Sequence, residues 1–103
     1  MELVAASVNR SFNRDTAQVV YDYLQDKLES DDITNLMVVA VCESGFNPIA
    51  HNKANKNKTS DGGVFQINST HGYSYEELKD PLKNTDVALK LYTESKLQPW
   101  NSS

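Results

Sequence analysis

The sequence predicts a mainly α-helical α+β domain with a small loop or β-hairpin lobe, on three observations. Two apolar stripes at helical spacing precede Gly45, a polar stretch rich in Asn, Lys and Gly fills the middle of the chain, and helix-start signatures follow it. With 103 residues, the chain supports one domain, 1–103, built on a single core.

The first stripe runs from Asn13 to Ser30, where Ala17, Val20, Tyr21, Leu24 and Leu28 recur at steps of three and four, with Asn13 or Asp15 able to cap the start. Asp31 and Asp32 interrupt it. Behind them Ile33, Leu36, Met37, Ala40 and Val41 form a second stripe, apolar on most sides and therefore expected to be central. Gly45 and Pro48 oppose its continuation, which puts Glu43 in or just after the last turn.

Residues 47–62 carry turn chemistry and predict an exposed loop or a small twisted hairpin. "GVFQIN", Gly63 to Asn68, alternates apolar and polar residues after a Gly pair and predicts a strand or extended segment, with Phe65 and Ile67 facing the core. Ser74 and Glu77 make a capping-box pattern for a short helix reaching Lys79. Asp80 and Pro81 suit the cap and first position of another, carrying Leu82, Ala88, Leu89, Leu91 and Tyr92. The tail "LQPWNSS" predicts irregular structure, with Trp100 either a core plug or a sugar-stacking platform.

Composition excludes several function classes. A net charge of −4 argues against nucleic acid as a partner, because such binders need a clustered basic face to displace counterions. The local cluster Lys53, Lys56 and Lys58 is interleaved with Asn and predicts a solvated loop. Cys42 is the single cysteine, so no intramolecular disulfide is expected, and its apolar helix offers nothing to activate a thiol. His51 and His71 lack ligand spacing, and the Asn-rich loop lacks the acidic alternation of a calcium loop, so no metal or other cofactor is expected. No apolar run approaches the ~20 residues that span a bilayer, so no membrane anchor is expected, nor an obvious signal peptide in "MELVAASVNRSFNR".

The residue that calls for chemistry is Glu43. A carboxylate at the exit of an apolar helix, with open loop beyond, is disfavoured in its ionised form by desolvation, so it would hold a proton to donate near neutral pH. A helix-end carboxylate that simply reaches solvent fits the same position.

Read together, "ESGFNPIA" from Glu43, "SDGGVFQINST" from Ser60, "DPLKNTDVALKLY" from Asp80 and the Pro99–Trp100 pair resemble the lysozyme-like superfamily, specifically soluble lytic transglycosylases and goose- or chicken-type lysozymes. The match covers about residues 33 to 100, with its blocks in family order. The resemblance implies a lysozyme-like fold and an enzyme cleaving peptidoglycan glycan strands between N-acetylmuramic acid and N-acetylglucosamine. On it Glu43 corresponds to the catalytic acid. Ser44 completes the family's Glu-Ser pair, Gly63 lets backbone approach the saccharide, Gln66 and Asn68 correspond to sugar-binding residues, and Tyr92 to an aromatic of the transglycosylase pattern.

Asp61 stands where chicken-type lysozymes carry an Asp, and could act as nucleophile or as stabiliser of the oxocarbenium-like state; an Asp before a Gly pair is also an ordinary turn residue. Transglycosylases use the single Glu and form an anhydro product. Gly62 replaces a residue that is often Tyr in lysozymes, and Lys96–Leu97 lacks the glycine common before the terminal Trp. With its substrate outside the cytoplasm and no visible export signal, the protein is expected to be made in the cytoplasm and to reach the wall as a bacteriophage virion component, alongside other virion proteins, or as a lysis enzyme. The competing expectation is a virion structural or assembly protein that binds glycan without turnover.

Overall fold

A computed structural model describes residues 13–53 and 59–101. The helices are α1 (Arg14–Leu24), α2 (Ser30–Ser44), α3 (Tyr75–Leu78), α4 (Pro81–Ser95) and α5 (Gln98–Asn101), and the strands are β1 (His51–Asn52), β2 (Asp61–Gly62) and β3 (Ile67–Asn68). The strands form one antiparallel sheet in the order β1-β2-β3, with a 3-10 turn, Ser69–His71, after it. The predicted mainly helical α+β class is what the chain adopts.

Three helix starts follow the sequence closely, because each is fixed by a local side-chain bond; α2 instead begins at Ser30, with Asp31 and Asp32 inside its first turn rather than ahead of it and no side-chain cap. Asn13 caps α1, its Oδ1 accepting from the Thr16 N–H at 3.0 Å. Both halves of the Ser74–Glu77 box are made, at 3.2 Å and 3.0 Å. Asp80 accepts from the Leu82 N–H at 3.0 Å, with Pro81 opening α4. At the far end of α2, Gly45 takes the left-handed conformation, φ 62°, and its N–H returns to the Val41 carbonyl.

Three expectations fail for identifiable reasons. The first stripe does not run to Leu28: α1 stops at Leu24, the chain turns, and Tyr21 faces solvent while Thr16 joins Ala17, Val20 and Leu24 in the core. "GVFQIN" is a turn that becomes strand only at Ile67, because Gly63 and Gln66 adopt φ 78° and 50° and the Gln66 N–H closes on the Gly63 carbonyl. Val64, Phe65 and Ile67 are therefore all buried, with no alternation. The tail is helical over Gln98–Asn101, since Pro99 sits in a first turn where no N–H is needed.

The core joins Val20 and Leu24 of α1, Ile33, Leu36 and Ala40 of α2, and Val87, Ala88 and Tyr92 of α4 to Phe46, Val64, Phe65, Ile67 and Leu78. α2 is not the enclosed central helix its composition predicts: Val38 and Cys42 are exposed, and Met37, Val39 and Val41 only half-buried. Lys56 and Lys58, from the basic cluster, lie outside the described residues; Lys53 is exposed.

Candidate active site

Two polar interior residues hold the end of α2 against the sheet. The Ser44 hydroxyl donates to the Val64 carbonyl at 2.6 Å and accepts from the Asn47 N–H at 3.2 Å, tying the last turn of α2 to the loop between β2 and β3. Asn84, fully buried on α4, accepts from the Phe65 N–H and donates to the Gly62 and Leu78 carbonyls, each at 2.9 Å. Three backbone groups that would otherwise be buried without partners are thus satisfied by one amide. Its place on α4 is the Asn of the "DPLKN" segment, one helical step from Val87 and Ala88.

Sheet register then sets the polar face. Asn52 pairs with Asp61 and Asp61 with Asn68, so these three form one cross-strand row, while His51, Gly62 and Ile67 form the next. Asp61 Oδ1 accepts from Asn68 Nδ2 at 2.9 Å, and the same amide donates to Thr59 Oγ1 at 3.1 Å. Asn68 Oδ1 is taken by the N–H and hydroxyl of Thr70. The neighbouring row is braced from α3, where the Tyr75 ring stacks on His51 at 3.9 Å and its hydroxyl donates to the Ile49 carbonyl at 2.7 Å. Sequence reasoning weighed His51 as a metal ligand and did not single out Tyr75; the stack joins residues 24 positions apart, and no local pattern marks it.

Glu43 lies in the last turn of α2, as its sequence position predicts. Its side chain is exposed at the helix exit, on the side where the sequence places open loop. Its pKa is nevertheless raised above the usual glutamate value, first by desolvation and second by the negative charge of Asp61. A carboxyl can be wetted on one side while protein displaces water on the other, and that partial displacement already disfavours the ion. Glu43 and Asp61 are therefore electrostatically coupled across the junction between helix end and sheet.

The remaining candidate binding residues have internal roles. Ser44 is a tie between α2 and the loop, as above. Gly63 is glycine because a Cβ there would overlap the Asn84 amide nitrogen and the Leu78 carbonyl oxygen, so the close approach it permits is to its own protein. Gln66 uses its amide N–H groups on the Gly63 and Ala50 carbonyls, at 2.9 and 3.2 Å, clasping the loop to the turn before β1. Asn68 spends both ends of its amide on Asp61, Thr59 and Thr70, which makes it a support for Asp61. Tyr92 is the furthest displaced: it is buried, its hydroxyl donates to Asp32 Oδ1 at 2.5 Å and accepts from Asn35 Nδ2 at 3.2 Å, so it anchors the start of α2 to α4. Asp32 lies 11 residues before Glu43 on α2, roughly 16 Å along the axis at the helical rise. Trp100 is a core-side peg, its Nε1 donating to the Phe65 carbonyl at 2.9 Å and its ring tilted against Phe65.

Among the described residues no group of three or more His, Cys, Asp or Glu side chains could hold a metal ion. No described helix is long and apolar enough to cross a membrane.

A mainly helical domain with a small antiparallel sheet thus brings Glu43 and Asp61 into electrostatic coupling where the two meet. The chain belongs to the lysozyme-like domain family, whose model matches residues 25–102. That family acts on peptidoglycan, as glycosidases or transglycosylases. A search of curated proteins and a search of solved structures each return no match.

Proposed function

We propose that this domain cleaves the glycosidic bond between N-acetylmuramic acid and N-acetylglucosamine in peptidoglycan, with Glu43 as general acid and then general base. The observation that carries the reading is the raised pKa of Glu43 at the helix–sheet junction, sustained by desolvation and by the charge of Asp61. Protonated Glu43 gives its proton to the glycosidic oxygen as the bond to the anomeric carbon breaks. Asp61, held by Asn68, lies on the side where its charge keeps that proton in place beforehand and offsets positive charge developing on the sugar afterwards. The ionised Glu43 then takes a proton from the attacking oxygen. That oxygen is water in a hydrolase, or the sugar's own 6-hydroxyl in a transglycosylase.

The test is clearing of a suspension of purified cell wall. Wild type is expected to clear it, and Glu43→Gln to lose about 10²–10⁴-fold in rate while keeping its far-UV circular dichroism, the usual size of a lost acid–base contribution. Equal clearing by wild type and Glu43→Gln would sink the assignment. A wild type that binds wall fragments and never clears them would favour the glycan-binding reading instead. Mass spectrometry of released fragments separates the two reactions: reducing ends mark hydrolysis, and 1,6-anhydro ends mark transglycosylation.

A further inference from the structure

Asp61 sits in a strand too short to hold itself in place. β2 consists of Asp61 and Gly62, and alternation sends Asp61 to one face of the sheet with Asn52 and Asn68, and Gly62 to the other with His51 and Ile67. Strands of two residues make too few ladder bonds for independent stability, so the place of the Asp61 carboxylate has to be set from outside the sheet. Asn68 cannot set it alone, because it belongs to the same sheet and moves with it. The support comes from behind. A Cβ on Gly62 would meet Cδ1 of the Tyr75 ring at 3.2 Å, so the bare backbone of residue 62 is what lets that ring lie so near β2. The same ring stacks on His51 of β1 with the planes 6° apart, and its hydroxyl holds the Ile49 carbonyl ahead of β1. One side chain thus touches β1, β2 and the turn before them, on the face opposite Asp61.

Tyr75 is itself fixed to the rest of the fold. Both halves of the Ser74–Glu77 box lock the start of α3, Leu78 at its end is buried, and the Leu78 carbonyl shares the Asn84 amide with the carbonyl of Gly62. α3, α4 and β2 therefore meet at one fully buried side chain, three residues along α3 from the ring. We propose that Tyr75, stacked on His51, is a positioning residue for Asp61: it backs β2 from behind and keeps the Asp61 carboxylate within reach of Glu43. Its bearing on catalysis rests on the roles proposed above for Glu43 and Asp61, whereas the positioning does not. Without the ring, β2 is free to settle back toward α3, and Asp61 withdraws from Glu43. The part of the raised Glu43 pKa that Asp61 causes is then lost, and the larger part that desolvation causes remains. The titratable groups beside the ring on α3, Glu76 and Lys79, are paired with each other at 2.7 Å.

The test reads Glu43 directly, in the full chain, by NMR titration of its side-chain carboxyl carbon, with the signal assigned by its loss in Glu43→Gln. Tyr75→Leu removes the stack and the hydroxyl bond while keeping apolar bulk behind β2. His51→Ala removes the stack alone and leaves α3 intact, so it carries the test should Tyr75→Leu fail to fold. Each is expected to lower the titration midpoint of Glu43, Tyr75→Leu by at least half of the fall that Asp61→Asn produces and His51→Ala by a smaller part of it. Neither is expected to lower it further in a chain that already carries Asp61→Asn. A midpoint that stays at the wild-type value in the folded variants would overturn the positioning role. So would one that falls as far with Asp61→Asn present as without it, since the ring would then support the packing of the site and not Asp61. The measurement needs no turnover, so it succeeds or fails apart from the wall-clearing test of Glu43 as the acid.

Discussion

α2 and α4 are both 15-residue helices, yet they use their residues in opposite ways. α4 is the more polar, and it buries Asn84, Thr85 and Tyr92 along with Val87 and Ala88, every polar group among them bonded. α2 is the more apolar, and it buries only Ile33, Leu36 and Ala40, leaving Val38, Cys42 and Glu43 outward. Buried polar groups that are fully satisfied fix one geometry, because any other leaves them unpaired at a cost. α4 is therefore the rigid frame, and α2, which carries Glu43 in its last turn, is the part laid against it. Stability should thus be most sensitive where α4 meets the loop, and activity most sensitive at the end of α2.

Gly63→Ala should break the frame most severely. The added methyl meets the Asn84 amide and the Leu78 carbonyl, in a residue already at φ 78°, so both overpacking and backbone strain apply. A loss of about 3 kcal/mol or more is expected, a fall in Tm of roughly 12 °C or beyond in a domain of this size. A thermal melt within about 3 °C of wild type would mean that the Asn84 contacts are not what holds the loop.

How much of this was legible in the sequence divides along the same line. Helix starts at Asn13, Ser74 and Asp80, and the end at Gly45, could be read because a cap is a bond between residues a few positions apart. So could the place of Glu43 in the last turn of α2. The roles of Gly63, Gln66, Asn68 and Tyr92 could not, because a motif position does not reveal whether an amide or hydroxyl is already consumed by the fold. Tyr92 meets Asp32 across 60 residues, and Asn84 meets Phe65 across 19. Asn84 offered one signal: a lone amide on the face of α4 that Val87 and Ala88 mark as buried, where a polar side chain must find partners.

Tyr92→Phe sharpens the comparison at its far end. Removing the hydroxyl deletes the bonds to Asp32 and Asn35 while keeping the buried ring, at an expected cost of about 1–2 kcal/mol in a urea melt. Because those partners sit at the opposite end of α2 from Glu43, KM for wall substrate is expected to stay at its wild-type value. A rise in KM with little change in stability would return Tyr92 to the binding residues.

Lys96 tests the frame in the stabilising direction. It ends α4 at φ 54° and ψ −130°, a conformation suited to glycine. Lys96→Gly should gain about 1 kcal/mol from relieved strain, less what is lost from the cation held 5.1 Å over the Tyr92 ring. An unchanged or lowered Tm would show that the packing of that ammonium outweighs the strain.

The smallest expected shift is the most specific to the acid. Glu43 holds its proton to higher pH than an ordinary glutamate, so a rate that needs the protonated form falls as pH rises through that raised pKa. Asp61 is the second cause of the raising, after desolvation, so Asp61→Asn should move the alkaline limb of the pH–rate profile to lower pH without abolishing it. Asn keeps the shape of the side chain, and the midpoint of the limb is read separately from the height of the profile. Added salt should shift wild type in the same direction and move Asp61→Asn less, because only the wild type has the charge to screen. The same raised pKa has a consequence for folding: its contribution is fully present below the unfolded-state pKa of Glu43 and is lost as pH rises through the folded-state value, so the stability advantage of Glu43→Gln should grow over that window. A limb that stays fixed in Asp61→Asn, at low and at high salt, would mean that burial at the helix end holds the proton unaided and that the two carboxylates do not work as a pair.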